Sequence, residues 1–200
     1  MSLIDNIHGE YIYTRRVDQL TSHLAEIIPS GARVLDIGCG DGLISHRIMQ
    51  QRPDVQISGL DVLIRPKTHI PVDKFDGQVI PYEDDSFDAV MFVDVLHHTD
   101  DPRILLREAA RVARQAVVIK DHTRDGLLAD STLRLMDYVG NARHGVVLPY
   151  NYWSRQEWLE ALEQLGLTIS EWKKDLHLYT RPASWFFDRS LHFVARLDIH

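Results

Sequence analysis

Cysteine is nearly absent from this sequence of 200 residues, which contains the single thiol of Cys39. One cysteine cannot form an internal disulfide, and it cannot build a metal site from several thiolates. A secreted disulfide scaffold and a multi-cysteine metal site are therefore both excluded, and we predict no metal site. This cysteine usage is typical of a reducing compartment, so we expect a cytoplasmic location.

Long hydrophobic runs are also missing. The most apolar window, Ala89 to Leu96, has eight residues and contains Asp94, whereas a helix that spans a bilayer needs about 20 apolar residues. The segment from Met1 to Arg16 carries Asp5 and Glu10 and has no apolar stretch of the signal-peptide type. The sequence therefore predicts neither a membrane span nor a signal peptide.

Positive charge is in deficit, with 22 Lys and Arg against 29 Asp and Glu and a net charge of -7. Such a surface repels a phosphate backbone, so a nucleic-acid partner and an anionic membrane are both disfavoured. Hydrophobic residues at 44% and charged residues at 26% are globular averages. Because no repeat or Pro/Gly/Ser-rich linker divides the chain, residues 1–200 are predicted to form one domain. No oligomeric state is predicted.

Hydrophobic patterning predicts strands that alternate with helices. The first helix is expected at Tyr11–Ile28, where apolar residues such as Val17, Leu20 and Leu24 are spaced by three and four. The other predicted elements are strand Arg33–Ile37, helix Leu43–Gln51, strands Val55–Leu60, Val72–Phe75 and Phe87–Val95, helix Asp101–Val112, strand Gln115–Lys120, helices Leu127–Val139 and Trp158–Leu165, and strands Leu167–Glu171 and Leu191–Leu197. This order indicates an α/β fold with a mostly parallel twisted sheet, helices on both faces and a ligand site at the carboxyl ends of the strands.

Three glycines spaced two apart, Gly38, Gly40 and Gly42, follow the first predicted strand. Glycine lets backbone N–H groups approach a ligand closely, and the helix that begins after the turn directs its dipole at negative groups. Leu43 occupies the position where the dinucleotide fingerprint places its third glycine, so the spacing favours a different nucleoside. A tight turn without a ligand is the alternative.

Acidic residues follow the next two predicted strands. Asp61 stands at the end of Val55–Leu60, where a carboxylate can accept hydrogen bonds from both ribose hydroxyls. Asp76 and Gly77 follow Val72–Phe75, and Asp76 can accept a hydrogen bond from an adenine amino group. A solvated loop aspartate and an Asp-Gly turn are the respective alternatives.

Four segments, taken in order, resemble the motifs of class I S-adenosylmethionine-dependent methyltransferases, especially the small bacterial type. They are V-L-D-I-G-C-G-D-G at 34–42, G-L-D-V at 59–62, the D-G to I-P-Y-E-D-D-S-F-D block at 76–88, and V-L-H-H-T-D-D-P at 95–102. The resemblance covers about Val34 to Val112. It implies a Rossmann-like methyltransferase fold with an antiparallel C-terminal strand, an S-adenosylmethionine cofactor, and in-line methyl transfer to an acceptor that we expect to be a small molecule.

The same resemblance implies a set of cofactor-binding residues. Asp36 would hold the cofactor's amino group, Asp61 would take the ribose hydroxyls, and Val62 would flank the adenine ring. The other implied contacts are Gly38, Cys39 and Gly40 with the methionine part, Asp76 and Gly77 with the adenine, and a backbone carbonyl of Phe92 or Val93 with the methionine part.

Two segments depart from the family pattern. Residues 62–70 are few and contain Pro66, so the helix between the second and third strands is expected to be short or absent. Residues 123–153 form an insertion with one predicted helix, and they match no acceptor-site pattern.

A general base is needed if the acceptor is a hydroxyl or a protonated amine, and four histidines are candidates. His97 and His98 follow the fourth predicted strand, His122 can pair with Asp121 at the end of the fifth, and His144 lies in the insertion. Histidine titrates in the useful range. Structural or substrate-edge roles remain alternatives for the first pair, and ordinary loop polarity for the others.

Two other functions fit parts of the pattern. A non-catalytic module could bind S-adenosylmethionine through the same glycines and strand-end acids without turnover. A nicotinamide-dependent oxidoreductase is less favoured, because the third glycine is missing and the Asp76 segment is present. Stabilisation by NAD but not by S-adenosylhomocysteine would favour the oxidoreductase.

Overall fold

The computed structural model describes residues 3–141, 149–181, 183–188 and 191–200. Among these residues, seven strands form one sheet in the order β3-β2-β1-β4-β5-β7-β6. The strands are β1 Arg33–Ile37, β2 Gln56–Asp61, β3 Val72–Lys74, β4 Phe87–Val93, β5 Ala113–His122, β6 Thr168–Lys173 and β7 His192–Asp198. Strands β1 to β5 pair in parallel, whereas β7 runs antiparallel to both β5 and β6. The predicted α/β fold with an antiparallel C-terminal strand is confirmed.

Helices connect these strands and cover the sheet. They are α1 Leu3–Ile27, α2 Leu43–Gln51, α3 Pro102–Val112, α4 Ala129–Asn141, α5 Arg155–Gln164 and the short α6 Ser184–Phe187. A 3₁₀ turn at Leu96–His98 follows β4. Residues 62–71, all of which the structure describes, contain no helix, as expected from their small number.

Capping residues explain where two helices begin. The Asp101 side chain caps α3, whose first residue is Pro102, and proline suits this position because its missing N–H would be unpaired there. Ser154 and Glu157 form a reciprocal capping box in front of α5. The capping box places the start of α5 at Arg155, earlier than the predicted start at Trp158.

Alternate residues of the strands pack on opposite faces of the sheet, and helices cover both faces. On β1, Val34 faces the layer that contains α1 and α2, whereas Leu35 faces the layer that contains α3 and α5. The layer with α1 and α2 includes the buried Leu20 of α1, and the layer with α3 and α5 includes Leu106 of α3 and Trp158 of α5. In the described part of the chain, helices therefore cover both faces of the sheet, and a ligand site is expected at the strand ends.

The fifth strand is longer than the predicted Gln115–Lys120. It extends to His122 because its last residues pair with β7, in the register Asp121 to Phe193 and His122 to His192. Asp121 and His122 are therefore buried strand residues and not part of a loop. The burial of Asp121 in this strand determines which side chain its carboxylate contacts.

The first helix is also longer than predicted, since it begins at Leu3 and not at Tyr11. No proline interrupts these residues, and a single Gly9 costs a helix only about 1 kcal/mol. None of the helices in the described part of the chain combines the length and the apolar character of a membrane span.

Candidate active site

The turn between β1 and α2 is tightly packed on one side and open on the other. Gly38, Gly40 and Gly42 have φ angles of 69°, 60° and 74°, which favour glycine. The Gly38 N–H donates to the carbonyl of Leu60 at 2.7 Å, and a Cβ on Gly38 would lie 2.6 Å from Cγ2 of Val95. A Cβ on Gly40 would meet no heavy atom within 4 Å. The turn therefore leaves room for a ligand at Gly40.

The carboxylate of Asp61 lies directly against this turn. Its Oδ2 accepts the Gly40 N–H at 2.8 Å, and its Oδ1 accepts the Leu63 N–H at 2.8 Å. Each carboxylate oxygen has two lone pairs, so both can also accept a hydrogen bond from a ligand hydroxyl. The glycine turn and the first strand-end acid therefore meet at one edge of the sheet.

Asp36 lies in β1 beneath the turn and is 3% exposed. The Ser45 hydroxyl of α2 donates to its Oδ2 at 2.6 Å. The pKa of Asp36 is raised to about 7, mainly by burial and also by the nearby Asp61 carboxylate, against the opposing effect of the Ser45 hydrogen bond. A cationic ligand group beside Asp36 would favour the ionised form.

The thiol of Cys39 packs into the fold. A Cβ on Gly59 of β2 would collide with its Sγ, so the glycine makes room for the thiol. Burial is the main cause that raises the pKa of the Cys39 thiol, which makes it a poor nucleophile. A contact of Cys39 with the cofactor would come from its backbone.

Val62 and Gly77 lie against each other beyond the ends of β2 and β3. A Cβ on Gly77 would lie 3.1 Å from Cγ1 of Val62. Asp76 is exposed, and its Oδ1 accepts the N–H groups of Gln78 and Val79, both at 2.8 Å. Val62 and Val79 are 53% and 58% exposed, so an apolar surface adjoins the second strand-end acid.

The end of β4 carries a buried charge cluster. The strand stops at Val93, earlier than predicted, because Asp94 adopts a left-handed φ of 57°. The Asp94 carboxylate pairs with the buried Lys120 of β5 and with Arg16 of α1. Burial opposes ionisation, but these two cations hold the pKa of Asp94 well below its usual range. Phe92 is fully buried, and Val93 beside Asp94 is partly exposed.

His97 lies between two carboxylates. Its Nδ1 is 2.7 Å from Oδ1 of Asp121, and its Nε2 is 3.3 Å from Oδ2 of Asp137 on α4. The Tyr152 hydroxyl donates to the same Asp137 oxygen. Burial lowers the pKa of His97, but the two carboxylates outweigh this effect and raise it to about 10.

His122 lies near Asp121, as expected, but farther from it than His97 does. Its Nδ1 is 3.4 Å from Oδ1 of Asp121 and makes no hydrogen bond within the described chain, because that oxygen contacts the ring of His97 and the backbone N–H of His122. Burial and the Lys120 cation lower the pKa of His122 to about 4. The imidazole that Asp121 orients is therefore that of His97.

His98 is the partly exposed member of the histidine pair. Its ring centroid lies 4.1 Å from that of His97. Burial and the neighbouring charge of His97 lower the pKa of His98. His144, the fourth candidate, lies outside the described residues.

Comparison with known proteins decides the family. A family model described as a methyltransferase domain matches residues 9–171. The chain belongs to this family. It is a class I S-adenosylmethionine-dependent methyltransferase, and the family implies S-adenosylmethionine as its cofactor. The nicotinamide-dependent alternative receives no support.

Curated relatives and solved structures agree with this assignment. The methyltransferase is 32% identical to the 27-O-demethylrifamycin SV methyltransferase of Amycolatopsis mediterranei, over 92% of this chain and 75% of that protein. It is 32% identical to a ubiquinone biosynthesis O-methyltransferase of Xanthomonas axonopodis, over 45% of this chain and 42% of that protein. A methyltransferase of Mesorhizobium loti matches its fold with a TM-score of 0.66 and 19% identity, over 88% of this chain and 96% of that chain.

Sequence reasoning missed several residues that complete the site of the methyltransferase. Asp94 and Lys120 interrupt apolar strands, and this pattern could have indicated a buried ion pair, because isolated charges are rarely buried. Arg16 and Asp137 lie among other charged residues of their helices. Nothing in the sequence distinguishes them from solvated side chains.

Proposed function

We propose that this methyltransferase transfers the methyl group of S-adenosylmethionine to a hydroxyl oxygen of a small molecule. The observation that carries the proposal is the hydrogen bond from the Gly40 N–H to the Asp61 carboxylate, beside a turn that is open to a ligand. It joins a glycine turn and a strand-end acid at the carboxyl edge of the sheet, where α/β folds bind ligands. Two relatives named for O-methylation support an oxygen acceptor.

The residues at this edge fit the cofactor in charge and shape. Asp36 is a buried carboxyl whose pKa is raised to about 7, and the cofactor's amino group would favour its ionised form. Asp61 would accept hydrogen bonds from the ribose hydroxyls, while Val62 and Gly77 would flank the adenine and Asp76 would accept from its amino group. When bound, the cofactor supplies a methyl group already activated by its sulfonium.

The chain therefore has to position the acceptor more than activate the methyl group. In-line displacement requires the acceptor oxygen about 3 to 3.5 Å from the methyl carbon, and such alignment can lower the barrier by several kcal/mol. The loop after β4 carries Val95, which contacts the glycine turn. The 3₁₀ turn with His97 and His98 thus follows directly from the cofactor edge, and in this proposal it borders the acceptor.

A hydroxyl acceptor has to lose its proton, and the surroundings of the histidines favour His98 for this step. His97 faces a carboxylate at each ring nitrogen, and His122 is almost completely buried. His98 is partly exposed and its pKa is lowered, so its imidazole is neutral near pH 7 and can accept a proton.

Methyl transfer from labelled S-adenosylmethionine tests this function. The purified protein is incubated with panels of phenols, enols and alcohols, and separately with amines and thiols. We expect label on a hydroxyl oxygen. His98→Gln should lower kcat about 100-fold, within the usual range for loss of a general base, and leave the Kd for S-adenosylhomocysteine within twofold.

One control variant and two possible results test the proposal. His200→Gln, a change at an exposed histidine at the end of the chain, is the matched control and should leave kcat and Kd unchanged. Label only on nitrogen or sulfur would contradict the oxygen acceptor. Binding of S-adenosylhomocysteine without transfer to any acceptor would favour the non-catalytic binding module.

A further inference from the structure

Three side chains link the inserted segment, residues 123–153, to the sheet. We call them the histidine clamp: His97 of the 3₁₀ turn, Asp121 of β5 and Asp137 of α4. We propose that His97 is a positioning residue, an imidazolium that hydrogen-bonds Asp121 through Nδ1 and forms an ion pair with Asp137 through Nε2, and that thereby fixes α4 against the edge of the sheet where the acceptor binds. The location of the acceptor rests on the proposed function, whereas the clamp itself does not.

The protonation of His97 follows from the two carboxylates that face it. A neutral imidazole has one N–H and one lone pair, so it can donate to only one carboxylate. Its other nitrogen would then direct a lone pair at an anionic oxygen, 2.7 Å away for Asp121 or 3.3 Å away for Asp137. The side chains of His97 and Asp121 are 2% and 0% exposed, so water cannot relieve this repulsion. Protonation removes it.

The charges around the clamp are consistent with one cation at His97. The titratable groups packed around it are Asp94, His98, Lys120, His122 and Tyr152. Of these, His98 and His122 have lowered pKa values and are neutral near pH 7. Tyr152 keeps its proton and donates it to Asp137, while Asp94 and Lys120 pair with each other. Among the described residues, the cation that lies between the two clamp carboxylates is therefore the His97 imidazolium.

Further contacts bring the other end of the insertion to the same turn. The backbone N–H of Asn151 donates to the carbonyl of His97 at 3.1 Å. The Asn151 amide donates to the carbonyls of Thr99 and Asp100 at 3.1 and 3.0 Å. The Tyr152 ring stacks on His97 with a centroid distance of 5.3 Å. Both α4 and the segment from residue 149 to 153 therefore depend on the position of His97.

A divalent cation would be a different occupant of this cluster. One ring nitrogen each of His97 and His98 and a carboxylate oxygen of Asp137 lie within 4.8 Å of one another. A cation held by Nε2 of His97 needs a lone pair on that nitrogen, whereas the clamp needs a proton there. The protonation state of Nε2 of His97 therefore distinguishes a bound cation from the clamp.

Nitrogen NMR of protein labelled with ¹⁵N-histidine measures this protonation state. The His97 signals are assigned by their loss in His97→Gln, or in His97→Asn if the first variant does not fold. We expect both ring nitrogens of His97 to be protonated at pH 7.5 and to stay so when Zn²⁺ or Co²⁺ is added. A neutral ring, or an Nε2 signal that shifts as metal is titrated, would overturn the clamp.

The Asp137→Ala variant tests positioning, and Asp130→Ala is its matched control on the same helix. The Asp130 side chain is 49% exposed and forms an ion pair with Arg134 one turn away. In Asp137→Ala we expect amide exchange in α4 to accelerate at least tenfold and the acceptor KM to rise at least tenfold. The Kd for S-adenosylhomocysteine should stay within twofold, and Asp130→Ala should leave all three unchanged.

Two results would contradict the positioning role. One is equal behaviour of Asp137→Ala and Asp130→Ala. The other is a parallel rise of the acceptor KM and the Kd for S-adenosylhomocysteine, which indicates general loss of structure. If no acceptor is found, the proposed function fails, but amide exchange and the His97 nitrogen signals still decide whether the clamp exists.

Discussion

The two halves of the site are built in different ways. At the carboxyl ends of β1–β3, the proposed cofactor half, the contacts come from backbone N–H groups and acids close in sequence, such as Gly40 and Asp61, 21 positions apart. At the carboxyl ends of β4 and β5, the proposed acceptor half, partly buried side chains meet from distant segments, such as Arg16 and Asp94, 78 positions apart. A shared cofactor can be bound by a local motif, whereas the surroundings of a particular acceptor depend on long-range packing.

If the acceptor half depends on buried charges, neutralising one of them should have the largest effect on stability. Asp94→Asn should lower the free energy of unfolding by about 3 to 5 kcal/mol, because Lys120 loses its partner in a buried site. Asparagine tolerates the left-handed backbone of this position, so the loss of stability reports the loss of the charge. Urea denaturation measures the free energy of unfolding.

The matched control for Asp94→Asn is Glu26→Gln. Glu26 pairs with Lys173 at the surface, where its side chain is 61% exposed, and such pairs contribute at most about 1 kcal/mol. Equal effects of the two substitutions would show that the charges of the acceptor half are no more important than surface charges.

The cofactor half should respond most strongly to Asp61. Asp61→Asn should weaken binding of S-adenosylhomocysteine about 100-fold, because charge-assisted hydrogen bonds to the ribose hydroxyls and the Gly40 N–H are lost together. Asp76→Asn should weaken it about tenfold or less, since Asp76 is exposed and already accepts two backbone N–H groups. Calorimetric titration gives both values, and an unchanged Kd for Asp61→Asn would exclude the ribose assignment.

Local signals allowed two elements of the proposed cofactor half to be predicted with correct boundaries, whereas β2 and β3 each differ from the prediction by one residue. β1 at Arg33–Ile37 and α2 at Leu43–Gln51 match the sequence prediction at both ends, because the glycines and Pro53 stop the apolar pattern. β5 was predicted too short, because Asp121 and His122 are polar. Their burial results from pairing with β7, which lies about 70 residues later in the chain.

Side-chain partners in the acceptor half could not be predicted for the same reason. Asp121 and His122 were expected to pair, and Nδ1 of His122 lies 3.4 Å from Oδ1 of Asp121. The shorter contact of that oxygen, at 2.7 Å, is with His97, which is 24 positions away in the chain. The four-motif resemblance located the histidines but carried no information about α4, so Asp137 was not found.

Within the cofactor half, a substitution can separate backbone strain from packing. Gly42→Ala should lower the free energy of unfolding by about 2 kcal/mol, because its φ is 74° and its new Cβ would overlap Ile70. Gly31→Ala has a similar φ of 67° and meets nothing within 4 Å, so about 1 kcal/mol is expected. Thermal unfolding measures the difference, and equal losses would mean that Ile70 moves aside freely.

The smallest expected effect is a pH dependence of cofactor binding through Asp36. In the free protein its pKa is about 7, and a bound ammonium group favours the carboxylate, so binding releases a proton below pH 7. The Kd for S-adenosylhomocysteine should therefore fall as the pH rises to 7 and level off above it, with binding about tenfold weaker at pH 6 than at pH 8. Asp36→Asn removes the titrating group, and its weaker binding should not follow this profile. If wild type and Asp36→Asn show the same pH profile, the amino group lies elsewhere, and the local motif does not define the whole cofactor half.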